Sequence, residues 1–242
     1  MKKIYFGFLL LIATISDAQT QPKFNIYKGD TINRRDAKGM RQGVFMKFYK
    51  TDSVFSKGQF RDDKPYGTFY FYAADGKVES KMEYEPKGNK ARFTAYYASG
   101  KKKAMGNYIN QKKDSVWNYY LENDSLAARE VYKNGLEHGD WIIYYPNGKV
   151  SELTTWVNGK KQGPFKAYFE TGKPKTETTY KNNLLNGYFK SYYSNGHVYT
   201  EGPYKNNLKE GLWRFHNDDG TIKAQSNYKA GISDNPAAED EQ

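Results

Sequence analysis

A period of 24 residues limits what this chain can fold into more than any other feature. Steps of that length from Gly43 land on Gly67, Ala91, Ser115, Gly139, Gly163, Gly187 and Gly211, with no insertion between copies. Two residues further on, every copy carries a ring: Phe45, Phe69, Phe93, Trp117, Trp141, Phe165, Phe189 and Trp213. A second ring recurs 17 residues on, from Phe60 and Tyr84 through to Tyr228. Nine residues on stands a turn former: Asp52, Gly76, Gly100, Asp124, Gly148, Gly172, Gly196 or Gly220. Eight copies in strict phase describe a tandem array, in which each unit touches only its neighbours.

The fifth copy, Gly139–Gln162, shows what one unit builds. Trp141–Tyr145 is rich in rings and β-branched residues, as a half-buried strand requires. Pro146-Asn147-Gly148 then predicts a three-residue loop, a type I turn closed by a glycine in the left-handed region. The same place is held by Gly76, Gly100, Gly172, Gly196 and Gly220. A second strand follows over Val150–Trp156, and Asn158-Gly159 makes a second turn. Each unit is therefore one hairpin. The fold class expected is all-β: an elongated, single-layer antiparallel β-hairpin array of about 16 strands, some 75 Å long. Two turns per 24 residues suit up-and-down strands better than a parallel β-helix. With the three-residue loop, Tyr144 shares a face with Val150 and Trp156, and Trp141 points the other way with Tyr145. A two-residue loop reverses that pairing, so the pattern leaves the buried face open. The fourth copy, with Ser115 and Asp124 in place of glycines, is expected to be irregular.

The ends differ from the array. Met1-Lys2-Lys3, the apolar run Ile4–Ile15 and the small residues Ser16 and Ala18 read as a secretory signal over residues 1–18. Residues 19–42 form an N-terminal cap resembling half a repeat, residues 43–232 the eight repeats, and residues 233–242 a disordered acidic tail. The chain carries a net charge of +11. Residues 1–18 contribute one of those charges and the last ten residues contribute four negative ones, so residues 19–232 carry +14. That balance fits sheet edges guarded by lysine, and equally attraction to anionic surfaces. Cysteine is absent, which excludes disulfides, thiolate metal sites and cysteine nucleophiles.

The recurring pattern carried by Gly139, Trp141, Tyr144, Tyr145, Asn147, Gly148, Lys149, Trp156, Asn158 and Gly159 resembles MORN repeats. It is closest to the bacterial variant known as YwqK-family toxin–antitoxin antitoxins. The resemblance covers residues 43–231 and implies an elongated hairpin array used for protein–protein contacts or membrane-surface association. Neutralising a cytoplasmic toxin sits badly with a secretory signal, so the resemblance leaves an envelope immunity or adaptor role.

No pattern of catalytic residues emerges. His138 and His197 occupy turn positions that are polar in sister copies, and His216 takes a ring position; none has metal-ligand spacing. The carboxylates are scattered, and Asp218-Asp219-Gly220 lacks the further ligands of a calcium loop. The expectation is a non-enzyme without cofactor or metal. Its candidate binding surface is the tyrosine row Tyr96, Tyr120, Tyr144, Tyr168 and Tyr192 together with Lys101, Lys149 and Lys173. The partner expected is another protein, with anionic lipid or envelope glycan as alternatives; export leaves nucleic acid few targets. Localisation is read as periplasmic or secreted.

Overall fold

The structure, a computed structural model, describes residues 24–235, which form strands and turns and no helix. The secretory-signal reading and the acidic residues 236–242 lie outside the described residues. The chain is an antiparallel sheet in which each strand pairs with its sequence neighbours, one layer thick. No ladder joins the last strand of this large sheet, Ile232–Ser233, to its first, Arg34–Arg35, so the sheet is open. Among the described residues the rings of pairing are local, where Leu136–Glu137, Leu184–Leu185 and Leu208–Lys209 are the first stretches of strands that resume after a bulge.

The first turn of each unit has the expected form. Tyr145 N–H donates to Lys149 O (2.8 Å) and Gly148 N–H to Tyr145 O (2.9 Å). Gly148 has φ +81°. Gly76, Gly100, Gly172, Gly196 and Gly220 repeat this, and Asp52 (φ 60°) and Asp124 (φ 66°) adopt it without glycine, as aspartate does most readily among larger residues. The second turns are shorter. Asn134-Gly135, Asn158-Gly159, Asn182-Asn183 and Asn206-Asn207 have positive φ at both residues, the type I′ geometry whose twist matches that of the strands.

Two bulges per unit escape the period. Just after the first turn one extra residue enters the second strand: Tyr144 faces Val150, Ile143 faces Glu152, and Ser151 has no partner. The same slip recurs in every copy. It corrects the expected facing: Trp141 sits opposite Thr154 and Gly139 opposite Trp156. Trp156 therefore joins Trp141, their ring centroids 5.2 Å apart, and Tyr144 occupies the other face.

The second bulge belongs to the framing glycine. Between the pairs Tyr132↔Glu137 and Arg129↔Ile142 the later strand gains two residues on its predecessor. Gly139 within it has φ +67°. Gly67, Gly163, Gly187 and Gly211 do the same, and Ser115 takes φ 60°. The fourth copy therefore keeps the common geometry, contrary to expectation. The third copy is the irregular one. Ala91 stays extended, and Lys90–Tyr96 pairs with Val78–Tyr84 without any slip. Its glycine has moved to Gly88 (φ +73°) in a longer turn over residues 86–89, closed by Glu85 N–H to Lys90 O (2.9 Å). A longer turn replaces a short turn plus a bulge, and the phase survives.

The N-terminal end is closed by a small hairpin, Asn25–Tyr27 with Asp30–Ile32. Ile32 is buried, and Tyr27 packs on Phe48 at 5.0 Å. Asn33 completes the edge by exchanging amide and carbonyl bonds with Met46 (2.8 and 3.1 Å). At the other end Ser233–Asn235 are bonded rather than loose as expected. Ser226 Oγ donates to Asp234 Oδ1 (2.9 Å) and Asn227 N–H to the same oxygen (2.8 Å).

Candidate functional site

The two faces have different work. On one, the ring of each unit lies over the preceding strand at a position held by a small residue in most copies. At Gly58, Gly106 and Gly202 an added Cβ would fall onto the rings of Phe69, Trp117 and Trp213. These glycines have ordinary φ, so the requirement there is space. Trp117 is 2% and Trp213 1% exposed, although the sheet has no second layer. The indoles at the first ring position also donate to a carbonyl of the strand they cover: Trp117 to Asn107 O (3.1 Å), Trp141 to Val131 O (2.8 Å) and Trp213 to Pro203 O (3.0 Å). Phe93 stacks on Trp117 at 5.6 Å and Phe189 on Trp213 at 5.8 Å. This face is the core.

Lysine enters that core in three alternate units of the later array, whereas Pro65 holds the place one step earlier. Lys113 Nζ lies 4.3 Å from the Trp117 ring and donates to Tyr119 Oη (2.7 Å). Lys161 lies over Tyr180 (4.8 Å) and Lys209 over Tyr228 (4.6 Å). Burial pushes the Lys113 ammonium below the usual lysine range, against the pull of Glu130 and Glu137. Burial, then the Glu130 carboxylate, pushes the Tyr119 and Tyr132 phenols well above the tyrosine range.

The opposite face carries the predicted tyrosine row. Tyr96, Tyr120, Tyr144, Tyr168 and Tyr192 are all half-buried. Tyr120 Oη points at Met105 Sδ (3.3 Å), and Tyr192 donates to Glu177 (2.9 Å). Burial, then that bond, raises Tyr192 to about 12. Beside the row, Glu177 pairs with Lys166 (3.5 Å) and Glu201 with Lys190 (3.1 Å). Among the described residues no three His, Cys, Asp or Glu side chains converge on a metal position.

The predicted lysines line the edge formed by the first turns, and each reaches the next hairpin. Lys149 Nζ donates to Thr171 O (2.7 Å), Lys173 Nζ to Asn195 O (2.8 Å), and Lys101 pairs with Asp124 (3.1 Å). Asn147 and Asn195 add donations to Glu170 O and Asp218 O (3.1 and 2.6 Å), and His197 Nδ1 lies 2.7 Å from Asp218 O. Here too the period is 48. Tyr49, Tyr97, Tyr145 and Tyr193 donate to the carbonyls of Tyr72, Tyr120, Tyr168 and His216 (2.7–2.8 Å). The intervening copies have Ala73, Leu121, Phe169 and Asn217 in that place. A comparison at 48 residues would have shown this alternation in the sequence.

The edge formed by the second turns is built differently, and the sequence reading passed over it. Successive turns are linked by backbone groups: Gly135, Gly159, Asn183, Asn207 and Gly231 N–H donate to the carbonyls of Lys113, Glu137, Lys161, Leu185 and Lys209 (2.8–3.0 Å). Nearby carboxylates and amides bond the same backbone, as Asp114 Oδ2 accepts from Asn134 N–H (3.0 Å) and Glu210 from Ala230 N–H (2.8 Å). The side chains flanking these turns are left to solvent.

A comparison with known families matches the MORN repeat variant to residues 65–85, 91–110, 137–158, 161–182, 185–206 and 209–230, together more than half of the chain. No curated protein matches. Among solved structures, TarM matches at 12% identity and a TM-score of 0.30, over 39% of this chain and 19% of its own. The TcdB2-TccC3-Cdc42 assembly matches at 9% identity and a TM-score of 0.16, over 80% of this chain and 16% of its own. The chain thus spans about a fifth of TarM, and neither likeness is strong enough to carry an argument.

Proposed function

The chain belongs to the MORN repeat variant family, and from that premise we propose that it is an exported, non-catalytic scaffold that binds another protein in the cell envelope. An immunity-like role, in which the bound protein is an exported toxin, is the finer form of this reading. What supports it is the open, one-layer sheet: its core rings are covered by its own strands, while a long face and an edge offer surface to a partner. A second reading, peripheral attachment to anionic lipid or glycan, draws on the net charge of +11. It is weaker because Lys149 and Lys173 already hold neighbouring carbonyls and Lys101 an aspartate.

The experiment is capture from envelope fractions with residues 19–242 as bait, beside flotation with anionic vesicles. A specific protein retained at about 0.15 M salt, where the Debye length is about 8 Å, supports the scaffold. Retention by vesicles alone, lost as salt rises, favours the second reading. Export is tested separately: the N-terminus of the protein recovered from the producing cell should be Gln19.

A further inference from the structure

The second-turn edge carries a pattern that the scaffold reading does not explain by itself. At five successive tips a lysine and an aliphatic residue face each other across the turn: Lys133 and Leu136, Lys160 and Val157, Lys181 and Leu184, Lys205 and Leu208, Lys229 and Ile232. All ten side chains are exposed, the aliphatic ones by 37% to 76%. Among the described residues none of the five lysines forms an ion pair. Leu136 and Leu208 lie beside the glycines of the following turns, yet so much of these apolar side chains stays open to water that burial by the fold gains little from them, and a contiguous row of them marks an interaction surface. Of the acids beside the tips, Asp114, Glu210 and Asp234 are engaged with neighbouring backbone and Glu137 lies next to the Gly159 turn; the five lysines outnumber them, so the row is basic as well as apolar. Between two of the tips lies a cleft of about 540 Å³ whose lining includes Lys181, Leu184, Asn186, Tyr204 and Lys205.

We infer that this edge docks an amphipathic α-helix of a partner protein, with leucine-type residues along one stripe and carboxylates flanking it. Neighbouring tips are two strands apart, about 9.6 Å. One heptad of helix advances about 10.5 Å, so an apolar stripe repeating every seven residues meets consecutive aliphatic tips over two or three units. Acids beside the stripe meet the lysines. A bilayer would also accept basic and apolar side chains, but membrane interfaces favour tryptophan and tyrosine. The rings next to the tips, Tyr132, Trp156, Tyr180, Tyr204 and Tyr228, pack on the core rings, and no ring stands among residues 133–136, 157–160, 181–184, 205–208 or 229–232.

The inference rests on the scaffold reading and names the chemistry of the partner. The probe is a synthetic peptide of about three heptads, with leucine at a and d and glutamate at e and g. Its control has the same composition scrambled so that no apolar stripe forms. With the full chain, the striped peptide should bind at least about tenfold tighter than the control. Leu184→Ser, Leu208→Ser and Ile232→Ser together should weaken it at least about tenfold, with the urea midpoint unchanged. Lys181→Gln with Lys205→Gln should weaken it and flatten its salt dependence. Equal binding of both peptides, an unaffected triple variant, or no binding of the striped peptide overturns the proposal. So does capture of the protein by vesicles of one part phosphatidylglycerol to three of phosphatidylethanolamine that the triple variant loses. If the triple variant still retains the protein captured from envelope fractions, the edge proposal fails while the scaffold stands.

Discussion

The two edges of this sheet solve one problem with different groups. Each must hold successive hairpins together at their tips. The first-turn edge does so with side chains: lysine, asparagine and tyrosine reach from one unit to carbonyls of the next. The second-turn edge does so mainly with backbone N–H groups, which the type I′ conformation aims at the preceding unit, helped by the side-chain amides of Gln162, Asn183 and Asn207. Where side chains serve as the fastening they cannot also serve a partner. Where the backbone serves, ten side chains are released. Turn geometry therefore decides which edge leaves its side chains exposed, and abundance of charge does not.

The comparison breaks most visibly at the glycines of the first edge. Gly148 has φ +81° and open space around it, so Gly148→Val tests conformation alone. It should lose about 1–3 kcal/mol in urea titration, and a neutral result would remove the turn from the account. The alternating hydroxyls come next. Tyr145→Phe removes the donation to Tyr168 O and should cost about 1 kcal/mol. Phe169→Tyr, in a copy that lacks the bond, should gain up to about 1 kcal/mol if the alternation is energetic.

The tyrosine row beside that edge supplies a pH test. Burial and the bond to Glu177 raise Tyr192 to about 12, so the unfolded chain releases this proton first. Its contribution is complete below pH 10 and is lost as pH rises through 12. The urea midpoint should fall across that window, and Tyr192→Phe should make the fall shallower. The smallest effect is expected on the other edge, where Leu184→Ser or Leu208→Ser should change stability by less than about 0.5 kcal/mol. A larger loss would mean that these side chains belong to the fold and are not free for a partner.

Most of the architecture was legible because turns and rings obey the 24-residue period. Gly148 after Pro146-Asn147 specifies its loop through φ alone, and Asn134-Gly135 specifies the type I′ turn in the same way. Ser151 could not be read, since a bulge residue there looks like any strand residue, yet it moves Trp156 to the face of Trp141. Ser115 misled because serine can hold a positive φ when the surrounding pairing fixes it, whereas Ala91 marks the copy that gave the bulge up. The candidate site was legible only as a composition. Counting Lys101, Lys149 and Lys173 reveals charge and not that it is engaged with the next hairpin. Leu136, Leu184 and Leu208 sit among polar turn residues and carry no signal until the strands bring the tips into line.

The central claim, that identical lengths of chain lay hairpins side by side in an open sheet, is tested most directly by removing two whole units. Deleting Gly139–Asn186 keeps both the period and the alternation. The shortened protein should still unfold in one cooperative transition, and its longest dimension in small-angle scattering should shrink by about 19 Å, four strands at about 4.8 Å. A collapsed or unfolded product, or a particle whose length does not change, would contradict it.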